Sequence, residues 1–284
     1  MSGIQGWWSE GERVELGDDG RQLFFRRMGT GPSMTLLHGF PSSSYDWAKI
    51  APALAEGHSL LLPDFLGFGA SDKPTDHDYS LHEQADLVEA LWAREGVTAT
   101  RVVAHDYAVS VTQELLARRA DGTLDVDLQA VHLLNGGLYL DVHRPEPIQI
   151  ALLDPEQGPQ ISALANEELF VAGLQATFSD GFDARADSAD IWTAMSRGDG
   201  HRISHRLIRY LEDRRRHEQR WTGALETTDV PLAFVWGMLD PISGPLMAER
   251  IRERRPDAAF EALEDVSHWP QLEAPERVAR AVLA

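Results

Sequence analysis

The sequence predicts an α/β architecture, with a mostly parallel central sheet flanked by helices and a helical insert between the two halves of that sheet. Three observations carry this expectation. Short apolar, strand-like runs alternate with amphipathic helical stretches through residues 21–137 and again from residue 224 onward, a pattern of parallel strands covered on both faces. From Leu138 to Gly223 the strand signal disappears. Polar groups also stand where such strands would end, which is where open α/β sheets gather their reactive side chains.

The elements follow in order. Gly17-Asp18-Asp19-Gly20 reads as the turn of a strand pair, "SMTLLHGF" as a strand entering a loop, and Ser44 to Leu54 as one helix. "HSLLLPDFLGFGASDKP" gives a strand and a glycine-rich loop. Ser80-Leu81-His82-Glu83 is a capping box opening a helix with Leu81, Val88, Leu91 and Trp92 on one face. Residues 101–104 form a buried strand, Ala108, Val111 and Leu115 mark a helix to about Ala120, and "LQAVHLLN" is the next strand. Pro145, Pro147, Pro155 and Pro159 break the early insert, and Ile203, Leu207, Tyr210 and Leu211 repeat with helical spacing later. "VPLAFVWGMLD" and, more weakly, "AAFEALEDVSH" restore strands before a last helix from about Ala274. The expected partition is core 1–137, helical insert 138–223 and core 224–284.

Composition narrows the function. The chain has 284 residues, 43% of them hydrophobic, enough for a sizeable core. It contains no cysteine, so disulfides and thiol catalysis are excluded and a cytoplasmic location is the expectation. A net charge of −19 disfavours nucleic acid and anionic membrane as partners. No secretory signal and no membrane-spanning stretch are read. "GFGASD" lacks the spacing of a dinucleotide fingerprint, and neither GxxxxGK nor GxSxG occurs. His201 and His205 in "HRISH" lack the glutamate of a zinc helix, so neither metal nor cofactor is expected.

Chemistry concentrates around "RVVAHDYAVSVTQEL", where Asp106 sits in the bend between strand and helix. A helix N-cap is the plain reading. The alternative is a nucleophile elbow, which needs small neighbours around a tightly bent backbone, and Ala104 and Ala108 supply them. Asp240 and His268 follow at later strand ends, in the order nucleophile, acid, histidine. A carboxylate nucleophile can displace a leaving group at saturated carbon, giving an ester that His268, oriented by Asp240, hydrolyses with water. The backbone N–H groups of Phe40 and Tyr107 are the expected donors to the oxyanion, each such donor supplying about 3 kcal/mol. His38 and His105 flank these motifs as hydrogen-bonded supports, with His38 also a candidate substrate contact. Asp64, Gly67 and Gly69 are read as shaping a loop, and Arg214-Arg215-Arg216 as a solvated face.

The motifs "HGFP", "DFLGFGASDKP", "HDY", "GMLDP" and "SHWPQLE" resemble the α/β-hydrolase branch that holds epoxide hydrolases and haloalkane dehalogenases. "HDYAVSVTQELL", "LNGGLYLDVHRP" and "QRWTGALE" are similar to the mesoderm-specific transcript group, which is epoxide-hydrolase-like. The resemblance implies an α/β-hydrolase fold with the insert as a lid. Dehalogenases of this branch carry Trp after the nucleophile and usually Asn after HG, places held here by Tyr107 and Phe40. Epoxide hydrolases pair lid tyrosines as acids. Tyr210 matches the second, while Tyr139 and His143 are the nearest candidates for a first. The expectation is therefore a cofactor-independent epoxide hydrolase acting on a small apolar substrate and water, as monomer or homodimer. A dehalogenase, an ester hydrolase and a non-catalytic binding protein remain as alternatives.

Overall fold

The strand-like runs pair into one sheet in a computed structural model that describes residues 3–17 and 20–284. Its eight strands are β1 (Glu12–Leu16), β2 (Arg21–Met28), β3 (Ser33–Leu37), β4 (Ser59–Pro63), β5 (Ala99–His105), β6 (Asp127–Leu134), β7 (Leu232–Gly237) and β8 (Ala259–Leu263). They lie in the order β1-β2-β4-β3-β5-β6-β7-β8. β1 pairs with β2, and β2 with β4, antiparallel, whereas every pairing from β4 to β8 is parallel. The strand pair at the start is present as expected, but Asp18 and Asp19 of its turn lie outside the described residues.

The central strands are apolar throughout because helices cover both faces. Val102 and Ala104 of β5 share a buried cluster with α3 (Leu81–Glu95) and α4 (Tyr107–Asp121), while Val103, pointing the other way, packs with Trp47 and Val278. Four further helices lie on the core: α1 (Ile4–Ser9), α2 (Ala51–Ala55), α11 (Pro245–Arg254) and α13 (Pro275–Leu283), with the short α12 (Pro270–Glu273). Sequence periodicity did not reveal α1 or α11. Between β6 and β7 come α5 (Pro147–Leu153), α6 (Gln157–Leu164), α7 (Glu167–Leu174), α8 (Arg185–Ser196), α9 (Ser204–Leu207) and α10 (Tyr210–Thr227), so the last of these helices crosses residue 223.

Two local expectations are corrected. The stretch from Ser44 to Leu54 is a 3₁₀ turn over Ser44–Trp47 followed by α2, not one helix. Pro52 cannot donate the backbone bond that a continuous helix would need and would crowd the preceding turn. Ser80 does cap α3 by accepting from the Glu83 N–H at 3.1 Å. The Glu83 carboxylate, however, turns to Arg21 and His77 instead of reaching back, so only half of the box forms.

The sheet delivers the reactive groups to one edge. His38 and Gly39 follow β3, Asp106 follows β5, Asn135 follows β6, Asp240 lies beyond β7 and His268 beyond β8.

Candidate active site

Asp106 has φ 49° and ψ −102°, a left-handed conformation that costs a β-carbon residue energy and persists only where the surroundings impose it. Two glycines make the bend possible. A Cβ on Gly39 would stand 3.0 Å from the Cβ of Asp106 and 2.8 Å from Nδ1 of His105, and one on Gly136 would stand 2.9 Å from the Asp106 carbonyl oxygen. The Asp106 N–H donates to the Asn135 carbonyl at 2.9 Å. Although Asp106 occupies the N-cap position of α4, its side chain makes no capping hydrogen bond, so capping does not account for it. Its Oδ2 instead accepts the Phe40 N–H at 3.1 Å.

His268, on the loop after β8, lies close enough to this carboxylate to sense its charge. Its Nδ1 pairs with Oδ2 of Asp240 at 2.9 Å, and both residues are buried. The Asp240 carboxylate also accepts from Asn135 Nδ2 at 2.8 Å, from the Ile242 N–H at 2.7 Å and from the Ser243 hydroxyl. Burial works against charge on both partners. For Asp240 the His268 charge and these donors outweigh it and hold the carboxyl well below its ordinary range. For His268 the Asp240 charge and hydrogen bond outweigh it, with a further push from Asp106, and the imidazole is raised to about 9. A carboxylate with one oxygen held by an N–H, next to an imidazole oriented by a second carboxylate, can form an ester and hydrolyse it.

An aromatic wall closes the site. The Tyr210 ring lies 5.8 Å from Phe40 and 5.1 Å from Tyr107, and Phe68 packs on both of those residues. Tyr210 is fully buried, and its hydroxyl accepts from Gln149 Nε2 at 3.4 Å. Burial, and then the charge of Asp106, push the pKa of that hydroxyl up.

Other candidates are placed elsewhere. His38 uses both ring nitrogens on backbone, Nδ1 with the Gly39 carbonyl at 2.8 Å and Nε2 with the Phe65 N–H at 3.1 Å, so it shapes the loop that carries Phe40. His105 likewise binds the His268 carbonyl through Nε2 at 2.8 Å. Burial, ahead of the neighbouring His268 charge, lowers its pKa to about 3. Tyr139 is buried with the Arg250 guanidinium 6.0 Å from the centre of its ring, and burial, ahead of the charge of Glu226, pushes the pKa of its hydroxyl up. Asp64 ties the Ser44 and Ala70 N–H groups together at 2.7 Å each, a loop-shaping role.

Sequence reasoning missed several neighbours. Asn135 joins β6 to the Asp240 turn by binding both the N–H and the carbonyl of Gly237 as well as the carboxylate. Its one available signal was position, at the end of the β6 run. Arg214, expected on a solvated face, is 2% exposed and donates to Ser110 Oγ and to the Asp106 carbonyl. The correction has a simple cause: a helix turns 100° per residue, so three adjacent arginines cannot share a face. Among the described residues no group of His, Asp or Glu could hold a metal ion, and no helix is long and apolar enough to cross a membrane.

An elbow, an imidazole–carboxylate pair and a helical insert on an eight-stranded sheet define an α/β hydrolase. The chain belongs to the alpha/beta hydrolase fold family, whose model matches residues 32–275. It is 44% identical over 279 residues, covering 95% of this chain and 96% of the other, to a Mycobacterium tuberculosis protein carrying the name hydrolase LipZ. It is 35% identical to the human mesoderm-specific transcript homolog protein, over 96% of this chain and 84% of that protein. It is 26% identical to haloalkane dehalogenase 2 of Mycobacterium bovis, over 90% and 88%. Its fold matches that of the haloalkane dehalogenase DbeA from Bradyrhizobium elkani with a TM-score of 0.80 at 22% identity, covering 96% of each chain.

Proposed function

We propose that this chain is an epoxide hydrolase that works through an ester on Asp106. The observation that carries the reading is the elbow itself: a buried aspartate in a strained bend, with the Phe40 N–H on Oδ2 and the His268–Asp240 pair beside it. With Oδ2 held, Oδ1 attacks an epoxide carbon, and the ring C–O bond breaks. The departing oxygen takes its proton from Tyr210, which lies against Phe40 and Tyr107 in the same enclosure. His268 then removes a proton from water, and the hydroxide adds to the carbonyl carbon of the ester. Negative charge passes to Oδ2, where Phe40 and, at the start of α4, Tyr107 offer N–H groups. Collapse of this adduct releases the diol and restores the carboxylate.

The resting charges suit that sequence. Asp106 helps hold the imidazole in its protonated form. Once Asp106 is an ester its charge is gone, so His268 releases its proton, which restores the Tyr210 hydroxyl, and the neutral imidazole is free to act as a base.

A halide as leaving group is the second reading, favoured by the similarity to a haloalkane dehalogenase. Such a group needs N–H donors. Phe40 and Tyr107 have none on their side chains, and the Trp269 indole is committed to Thr177 at 2.8 Å. The hydroxyl of Tyr210 suits an alkoxide better.

The test is a trap. His268→Ala exposed to a panel of epoxides and alkyl halides should accumulate a mass adduct on the Asp106 peptide, with diol or halide released only by wild type. Diol formation that proceeds with Asp106 never modified removes the ester route. No turnover of any epoxide, halide or ester would instead favour a binding role on this fold.

A further inference from the structure

Among the described residues no acidic side chain pairs with Arg214. Its side chain is held by Ser110 Oγ at 2.8 Å and by the Asp106 carbonyl at 2.9 Å, and its guanidinium lies 4.6 Å from the centre of the Tyr210 ring. Those partners are neutral, and among the described residues no carboxylate bonds to it. Its Nη1 is buried with no hydrogen-bond partner. A second such atom lies alongside, Nε2 of His143, in a residue that is 5% exposed. Both groups converge on Gly137, where a Cβ would stand 2.4 Å from Nη1 and 3.0 Å from Cδ2 of His143. Burial, and next the Arg214 charge, lower the pKa of His143 to about 3. It therefore stays neutral and can present Nε2 as a donor.

A buried cation with an idle donor, beside a second idle donor and next to the reacting aspartate, is suited to an anion that arrives with the substrate. We propose that Arg214 Nη1 and His143 Nε2 form a subsite for a carboxylate on the substrate, so that the preferred electrophiles are epoxides bearing an acid group. The proposal rests on the reading of Asp106 as the nucleophile.

The experiment compares epoxyhexanoic acid with its primary amide on the His268→Ala protein, following the adduct on Asp106 by mass spectrometry. The acid should label about tenfold faster at equal concentration, the worth of one charge-assisted hydrogen bond. Adding Arg214→Gln should bring the two rates together, and Arg214→Lys should restore part of the difference. Equal labelling by acid and amide with Arg214 intact overturns the subsite, while the labelling itself leaves the Asp106 ester standing. If neither epoxide labels, the ester reading has failed and calorimetric titration of the wild-type chain decides the subsite. Binding of hexanoate but not hexanamide, lost in Arg214→Gln, supports it; no binding of hexanoate overturns it.

Discussion

The Nδ1 atom of His268 stands 2.9 Å from Oδ2 of Asp240, with both side chains out of solvent. The contact raises the histidine and lowers the aspartate, and each shift contributes stability in its own range. The raised imidazole stabilises fully below about pH 6.5, its ordinary value, and loses that contribution as pH rises through about 9. The depressed carboxyl contributes above its ordinary range and loses its contribution in acid. The melting-temperature gap between wild type and Asp240→Asn should therefore narrow between pH 7 and pH 10. A gap that stays constant across that window would contradict the pairing.

The proposed ester step should titrate below the free imidazole. In the resting protein His268 senses both Asp106 and Asp240, whereas in the ester only Asp240 remains charged. Nuclear magnetic resonance of the free protein should place the imidazole near 9. The pH profile of single-turnover ester hydrolysis should have its rising limb at distinctly lower pH. Coincidence of the two midpoints would count against charge release as the trigger.

Gly39→Ala should damage activity more than stability. The added methyl would press on Asp106 and His105 and displace the loop carrying the Phe40 N–H. Losing that alignment should lower kcat by about 100-fold, the usual cost of an oxyanion donor. Chemical denaturation should show a smaller loss, about 1–3 kcal/mol for overpacking. Near-normal kcat would mean that the Phe40 N–H plays no part in the reaction.

Glu114 fastens α4 to α10. Its carboxylate accepts from Trp221 Nε1 at 2.8 Å and from the side chains of Arg118 and Arg220. Burial acts to raise its pKa, but Arg220, Trp221 and Arg118 together lower it to about 2. Since Arg118 and Arg220 keep other carboxylates, the main loss in Glu114→Ala is the orphaned buried indole N–H, and destabilisation of about 2–3 kcal/mol is expected. The deficit should hold above the ordinary carboxylate range and shrink as pH falls toward 2. Urea melts at neutral and acid pH provide the check.

The α/β fold and the Asp106, Asp240 and His268 positions were legible because each depends on local pattern: branched strand residues, small residues about a bend, and short motifs at strand ends. Arg214 was misread because three like charges in a row look solvated until helical rotation is applied to them. Asn135 is marked in sequence by its place at a strand end alone, since its partner Asp240 is 105 positions away. Tyr210 was marked by the helical face it shares with Ile203 and Leu207, whereas Tyr139 had no matching pattern, and packing sets it beside Arg250. The single helix expected from Ser44 to Leu54 overlooked what Pro52 does to a continuous hydrogen-bond ladder.

One rod runs from the substrate enclosure to the base of the core. α10 spans 18 residues, about 27 Å at the usual rise, with Tyr210 at its head and Trp221 and Leu225 rooted near its foot. Along its length it is bolted to the α3 start through Asp213, to Ser110 through Arg214, and to Glu114 through Trp221. The backbone at Tyr210 therefore cannot shift by itself, because α3 and α4 would have to travel with it. The hydroxyl of Tyr210 is held by Gln149 of α5, so on the proposed reaction substitutions that stiffen α5 should slow product escape while leaving ester formation on Asp106 unchanged.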